Sequence, residues 1–248
     1  MFTKVYPALI ITRRELRDQM RDWRIIMPII VLTSFFPWLL NFTAKQLATF
    51  MKTYGAVVMG DRLIPFLLMI VGFFPITVSL VIALESFVGE KERHSIEPLL
   101  SSPLEDWQLY LGKLLASLVI PIVSSYLGTI VYLVGVHYEI GWDPPITLLI
   151  QILSLTAVEA LVMVSAAVVI SSKTTSVRAA NLLASFIVIP MALLIQGESI
   201  IMFWGRYDTL WWAILGQIVI AGLLLRMGVT HFNLEELLGR ELDSLNLR

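Results

Sequence analysis

Six apolar runs dominate the sequence, and each is close to the length a helix needs to cross a lipid bilayer. A hydrocarbon core about 30 Å thick takes about 20 helical residues. The runs cover 25–42, 63–83, 114–136, 146–170, 179–196 and 210–225. They are continuous rather than alternating, which argues for helices and against a membrane β-barrel. Charged residues make up 15% of the chain and mean hydropathy is +0.81, against about 25% charged in a soluble domain. The expected fold class is therefore an all-α integral membrane protein of six transmembrane helices, forming one membrane domain over 1–248. Prolines inside the runs (Pro28, Pro37, Pro75, Pro121 and Pro190) are tolerable because neighbouring helices can satisfy the carbonyls they free.

Charge placement sets the expected orientation. With the N-terminus inside, fourteen of the 18 Lys and Arg residues lie in inside segments. Lys45, Lys52, Arg62 and Arg206 lie outside. This excess predicts both termini in the cytoplasm of a multi-pass cell-membrane protein. Residues 3–23 read as an amphipathic helix, with Val5, Leu9, Leu16, Met20 and Trp23 on one face and Arg13, Arg14, Arg17, Asp18 and Arg21 on the other. Such a helix suits the membrane interface; the plainer reading is a cytoplasmic helix packed on the bundle. The early arginines and the lack of a small-residue cleavage site do not fit a secretory signal. Asn41–Arg62 reads as an outside loop, His137–Pro145 as a short turn, and Gly197–Thr209 as a loop with a re-entrant or interfacial middle. The tail 233–247 reads as a cytoplasmic helix, capped by Asn233 and carrying a leucine stripe.

Several chemistries find no support. The net charge of −1 gives no basic surface for phosphates. With no cysteine there is no thiol or disulfide chemistry. His94, His137 and His231 are too scattered for a metal site. No G-x-x-x-x-G-K-[ST] phosphate loop occurs, and Ser199 in GES is not a nucleophile elbow.

The polar interval 85–113, ESFVGEKERHSIEPLLSSPLEDWQLYLGK, separates the second and third runs. Ser95 can cap a short helix starting at Ile96, with Glu97 in its first turn, where the helix dipole favours an acid. Leu99 and Leu100 give that helix an apolar face. Ser102-Pro103-Leu104-Glu105 then reads as a second start, with Ser102 as cap, Pro103 as first helical residue and Glu105 at the capping-box position. A short rigid helix held between two spans can pass an external push to both.

Within this interval, GEKERHSIEPLLSSPLEDWQLYLGK resembles the signature of the type-2 ATP-binding-cassette (ABC) exporter permeases. The matching residues are Glu90, Lys91, Glu92, Arg93, Ile96, Glu97, Leu99, Leu100, Ser102, Pro103, Leu104, Gly112 and Lys113. His94 stands where the family has glycine, and Ser95 where it has threonine. SSKTTSVRAANLLASFIVIP and HFNLEELLGRE are similar to the family's fifth-span and C-terminal patterns, so the resemblance covers essentially the whole chain. It implies a permease without its own ATPase site, working as a dimer with an identical or homologous permease. It also implies two separate ATP-binding subunits carrying ATP and Mg, with no cofactor in this chain. Glu90, Arg93, Ser95, Ile96, Glu97, Leu99, Leu100, Ser102, Pro103 and Leu104 would form the coupling helix that docks on the ATPase.

Two carboxylates stand apart from that motif. Glu159 lies mid-way along the fourth run, where a charge is expensive and marks either a functional site or a helix-packing hydrogen bond. Glu85, at the end of the second run, reads as an interfacial carboxylate paired with a basic residue of the N-terminal helix. A six-span secondary transporter or channel is the main rival reading. It would require broken or charged helices in repeated halves, and only Glu159 qualifies. An intramembrane hydrolase would require paired acid, base or metal groups within spans.

Overall fold

The computed structural model describes residues 2–55, 57–84, 105–174 and 177–231. Within them the chain forms α1 (Phe2–Gln19), α2 (Trp23–Thr53), α3 (Val57–Leu84), α4 (Asp106–Ile140), α5 (Ile146–Lys173), α6 (Val177–Phe203) and α7 (Tyr207–His231). No strand occurs among the described residues. Helices α2–α7 each contain a segment long and apolar enough to cross a membrane. The chain is an all-α, multi-pass membrane protein.

Several helices outrun their apolar runs. The region expected as a loop from Asn41 is helical to Thr53, and α3 begins at Val57. Likewise α6 continues through Gly197, Glu198 and Ser199 to Phe203, where a re-entrant or interfacial loop was expected. A helix satisfies its own backbone hydrogen bonds whatever side chains it carries, so polar residues at a span's end lower hydropathy without ending the helix. At 35 residues α4 is about 52 Å long, so it projects well beyond a 30 Å apolar core.

Helix α2 contains one irregular turn. Val31–Phe35 forms a π turn just before Pro37, at the start of the following α segment. Pro37 has no N–H to give to the preceding turn, and the wider turn accommodates that gap. Asp22 caps the start of α2, its carboxylate accepting from the Arg24 N–H at 2.9 Å.

Burial divides the bundle. The apolar window of α3 is 73% buried, that of α5 61% and that of α4 56%, against 17%, 28% and 22% for α2, α6 and α7. The core is thus α3, α4 and α5, with α2, α6 and α7 around it. One apolar cluster joins Ile76, Leu80, Tyr110, Leu114, Met163 and Val168, and a second joins Leu68, Tyr132, Ile152, Leu155, Met202 and Leu210. Polar side chains tie the core helices by bonding backbone carbonyls. The Ser125 hydroxyl donates to Gly72 O at 2.6 Å, Tyr132 to Ile64 O at 3.2 Å and Tyr126 to Leu153 O at 3.0 Å.

The ends of the bundle follow from these contacts. The end holding the 141–145 and 204–206 turns also holds the start of α3, where the Arg62 guanidinium donates to Phe203 O at 3.0 Å. Gly205 there has φ +69°, and a Cβ would lie 2.7 Å from the Arg62 guanidinium. The other end holds α1 against the start of α4, and it is the end from which the 85–104 stretch leaves and returns.

Candidate functional site

The start of α4 is the first candidate site. Glu105 has extended backbone and caps α4; its N–H donates to Gln108 Oε1 at 3.2 Å, and its carboxylate closes the capping box on the Gln108 N–H. The Trp107 indole N–H also donates to Glu105. This corrects the expected role of Glu105. It is the cap of α4 and not the third residue of a helix begun at Pro103, so the capping box sits three residues later than the sequence suggests.

Seven residues on, α1 crosses α4. The single Thr12 hydroxyl proton is shared between Ala8 O at 2.9 Å and Gly112 O at 3.0 Å. Lys113, 2% exposed, has its Nζ 3.6 Å from Glu15 Oε1. Gly112 allows this approach, since a Cβ there would meet Ile11 Cβ at 2.8 Å and Ala8 O at 2.9 Å. The bundle-facing stripe of α1 is therefore Ala8, Thr12, Glu15 and Gln19, one helical face at i, i+4, i+7 and i+11. Leu9 and Met20, expected to lead the apolar face, are exposed, as are Arg13, Arg14, Arg17, Asp18 and Arg21. One face of α1 thus packs on the bundle, as in the plainer reading, and an apolar flank with a basic face is exposed.

The sequence-predicted coupling residues Glu90, Arg93, Ser95, Ile96, Glu97, Leu99, Leu100, Ser102, Pro103 and Leu104 lie outside the described residues, as do Glu85 and the tail 233–247. By chain connectivity the 85–104 stretch runs from Leu84, the end of the most buried helix, to Glu105, the cap of the longest.

The second candidate site is deep in the bundle. Glu159 is fully buried on α5. The side chain facing it is Glu198 of α6, itself 2% exposed. Gln217 of α7 completes the group, its Nε2 donating to Glu198 Oε1 at 2.5 Å. Both oxygens of Glu159, Oε2 of Glu198 and Oε1 of Gln217 are buried with no hydrogen-bond donor. Three helices thus place two carboxyls and an amide together. Glu198 is missed when GES is read as a loop, and Gln217 because an uncharged amide inside the sixth run carries no charge to mark it; the available signal is that Glu198 falls within the helix once α6 is continued past Gln196. Among the described residues no cluster of His, Cys, Asp and Glu has the makings of a metal site.

A family model for the ABC-2 family transporter proteins matches residues 9–204. That span takes in α1 from Leu9 onward and α2 through α6, and it includes the whole 85–104 stretch. The chain belongs to the ABC-2 transporter family. It is an ABC transport permease, the membrane component of a transporter whose energy comes from an ATP-binding partner subunit. The comparison with curated proteins returned no match.

Proposed function

We propose that this ABC-2 permease is the membrane subunit of an exporter, driven by a separate ATP-binding subunit that pushes on residues 96–104. ATP and Mg are bound by that partner, and this subunit does not itself hydrolyse ATP. Two permease chains, identical or homologous, pair above two ATP-binding subunits in the cell membrane, with both termini of each permease in the cytoplasm. The single domain divides into the interfacial helix α1, the coupling segment 85–113, the bundle, and a cytoplasmic helix over 233–247.

The observation that supports this most is where the 85–104 stretch is attached. It joins α3, the most buried helix, to α4, which α1 grips at Thr12–Gly112 and Glu15–Lys113. A push on the stretch therefore acts on the core and not on a peripheral helix. Packed helices shift between discrete arrangements rather than deforming continuously, so the push selects between inward-open and outward-open states as ATP closes the partner subunits. Within the stretch, Leu99 and Leu100 give the coupling helix its apolar contact, and Ser95 caps its start. Glu90, Arg93 and Glu97 are surface charges toward the partner, and Glu85 pairs with a base of α1.

Leu100→Asp places a charge in the apolar contact. Co-purification with the ATP-binding subunit and transport-stimulated ATP hydrolysis should both fall. Wild-type values for both would remove the coupling role from this stretch.

A further inference from the structure

The Glu159–Glu198–Gln217 group takes no part in the coupling described above, yet it is costly to bury. Carboxyls within a membrane span are expensive unless paired or neutral. Two of them face each other here, each 2% exposed or less. Among the described residues the charged group facing either one is the other.

Among the described residues no basic side chain forms an ion pair with either. Asp61 and Arg62 open α3, and the Arg62 guanidinium is engaged at Phe203 O, more than a helical turn beyond Glu198. On α4, Asp106 and Lys113 lie at one end and His137 and Glu139 at the other, while Tyr126 and Tyr132 bond the Leu153 and Ile64 carbonyls. Lys173 ends α5, Arg178 begins α6, Tyr207 and Asp208 begin α7, and Arg226 and His231 close it.

Hydrogen-bond counting then fixes what is missing. Ionised carboxylates only accept, and Gln217 supplies one donor to Glu198. Glu159 is left with two orphaned oxygens, and Gln217 Oε1 is a further buried orphan on the same side chain that points into the group. Buried polar atoms are almost always partnered. A single proton on one carboxyl would turn it into a donor to the other and neutralise half the charge, as in carboxyl pairs that cannot both ionise.

We propose that Glu159, Glu198 and Gln217 form an intramembrane proton-binding site, in which one proton is shared by the two carboxyls while α5, α6 and α7 are packed together. Separation of these helices hydrates the carboxyls and lets the proton leave; repacking requires its return. The packed arrangement is thus linked to proton uptake. The stability it gains from the pair is present at low pH and is lost as pH rises. The ratio of packed to separated bundle changes by about tenfold per pH unit over the titrating range, as for one linked proton.

The test uses the permease purified with its ATP-binding subunit in lipid nanodiscs. Infrared difference spectra between acid and alkaline buffer should show a protonated-carboxyl band in wild type that is lost in both Glu159→Gln and Glu198→Gln. Glu159→Gln keeps the shape and supplies an amide donor to Glu198, so it imitates the protonated pair. It should fold and assemble, and its ATP hydrolysis should lose the alkaline pH dependence of wild type. Three results overturn the proposal: no protonated-carboxyl band in wild type, a band that survives both substitutions, or carboxylate bands that shift on adding sodium at constant pH. The infrared readout does not depend on the exporter reading, so failure of one leaves the other standing.

Discussion

Gly112→Ala probes the joint between α1 and the start of α4. The added Cβ would lie 2.8 Å from Ile11 Cβ and 2.9 Å from the Ala8 carbonyl oxygen. The second of these is backbone, so α1 itself must move away. Forced overpacking of this kind costs about 1–3 kcal/mol. Displacing α1 also lengthens the 3.0 Å bond from Thr12 to Gly112 O, which contributes about 1 kcal/mol. Against this, alanine is favoured over glycine inside a helix by about 1 kcal/mol. The net loss of α1 docking is about 1–3 kcal/mol. Hydrogen exchange of the α1 amides around Ala8 to Glu15, measured by mass spectrometry in nanodiscs, should then accelerate about 5- to 150-fold. Exchange at the first turns of α5 and α7, at the opposite end of the bundle, should stay as in wild type. Unchanged exchange in α1 would show that the close approach at Gly112 does not hold the helix, and would refute the grip on which force transfer to α4 rests.

Other substitutions test neighbouring features. Glu15→Gln leaves the buried Lys113 ammonium short of its carboxylate. With Glu15 19% exposed, the loss should be about 2 kcal/mol, below the range for a fully buried pair, read as a lower melting temperature. Glu105→Ala removes the cap of α4 at a cost of about 0.5–2 kcal/mol, read as faster exchange confined to the first turn after Asp106. Gly205→Ala meets both the positive φ and the Arg62 guanidinium. It should lower the melting temperature through about 1–2 kcal/mol of backbone strain, and an unchanged melting curve would show that the 204–206 turn has another conformation in the membrane.

The sequence and the structure agree where one physical cause governs. Six spans were legible because a helix crossing a bilayer needs a continuous apolar run, and nothing in a soluble core imitates six of them. Their ends were not, because the apolar pattern stops where side chains reach the polar zone while backbone hydrogen bonding carries on. That difference hid Glu198 in an apparent loop and with it the partner of Glu159, a residue that was visible as a lone charge in a span. The docking stripe of α1 was hidden for the opposite reason. Ala8, Thr12, Glu15 and Gln19 are small or polar, and an amphipathicity reading looks for Leu9 and Met20. Close helix packing beside a glycine selects small residues, and Lys113 adds the need for a carboxylate. Glu105 as the cap of α4 was hidden by two overlapping capping patterns, between which sequence spacing cannot choose.

The most direct test of force entering through residues 96–104 exploits the absence of cysteine from the chain. A single cysteine at Leu100, introduced as Leu100→Cys and labelled with a photoreactive crosslinker in the assembled transporter, reports what touches that position. The account predicts a crosslink to the ATP-binding subunit whose yield changes when ATP is added. A fully assembled, ATP-hydrolysing transporter that gives no such crosslink from Leu100→Cys, nor from Ile96→Cys or Leu104→Cys, would contradict it.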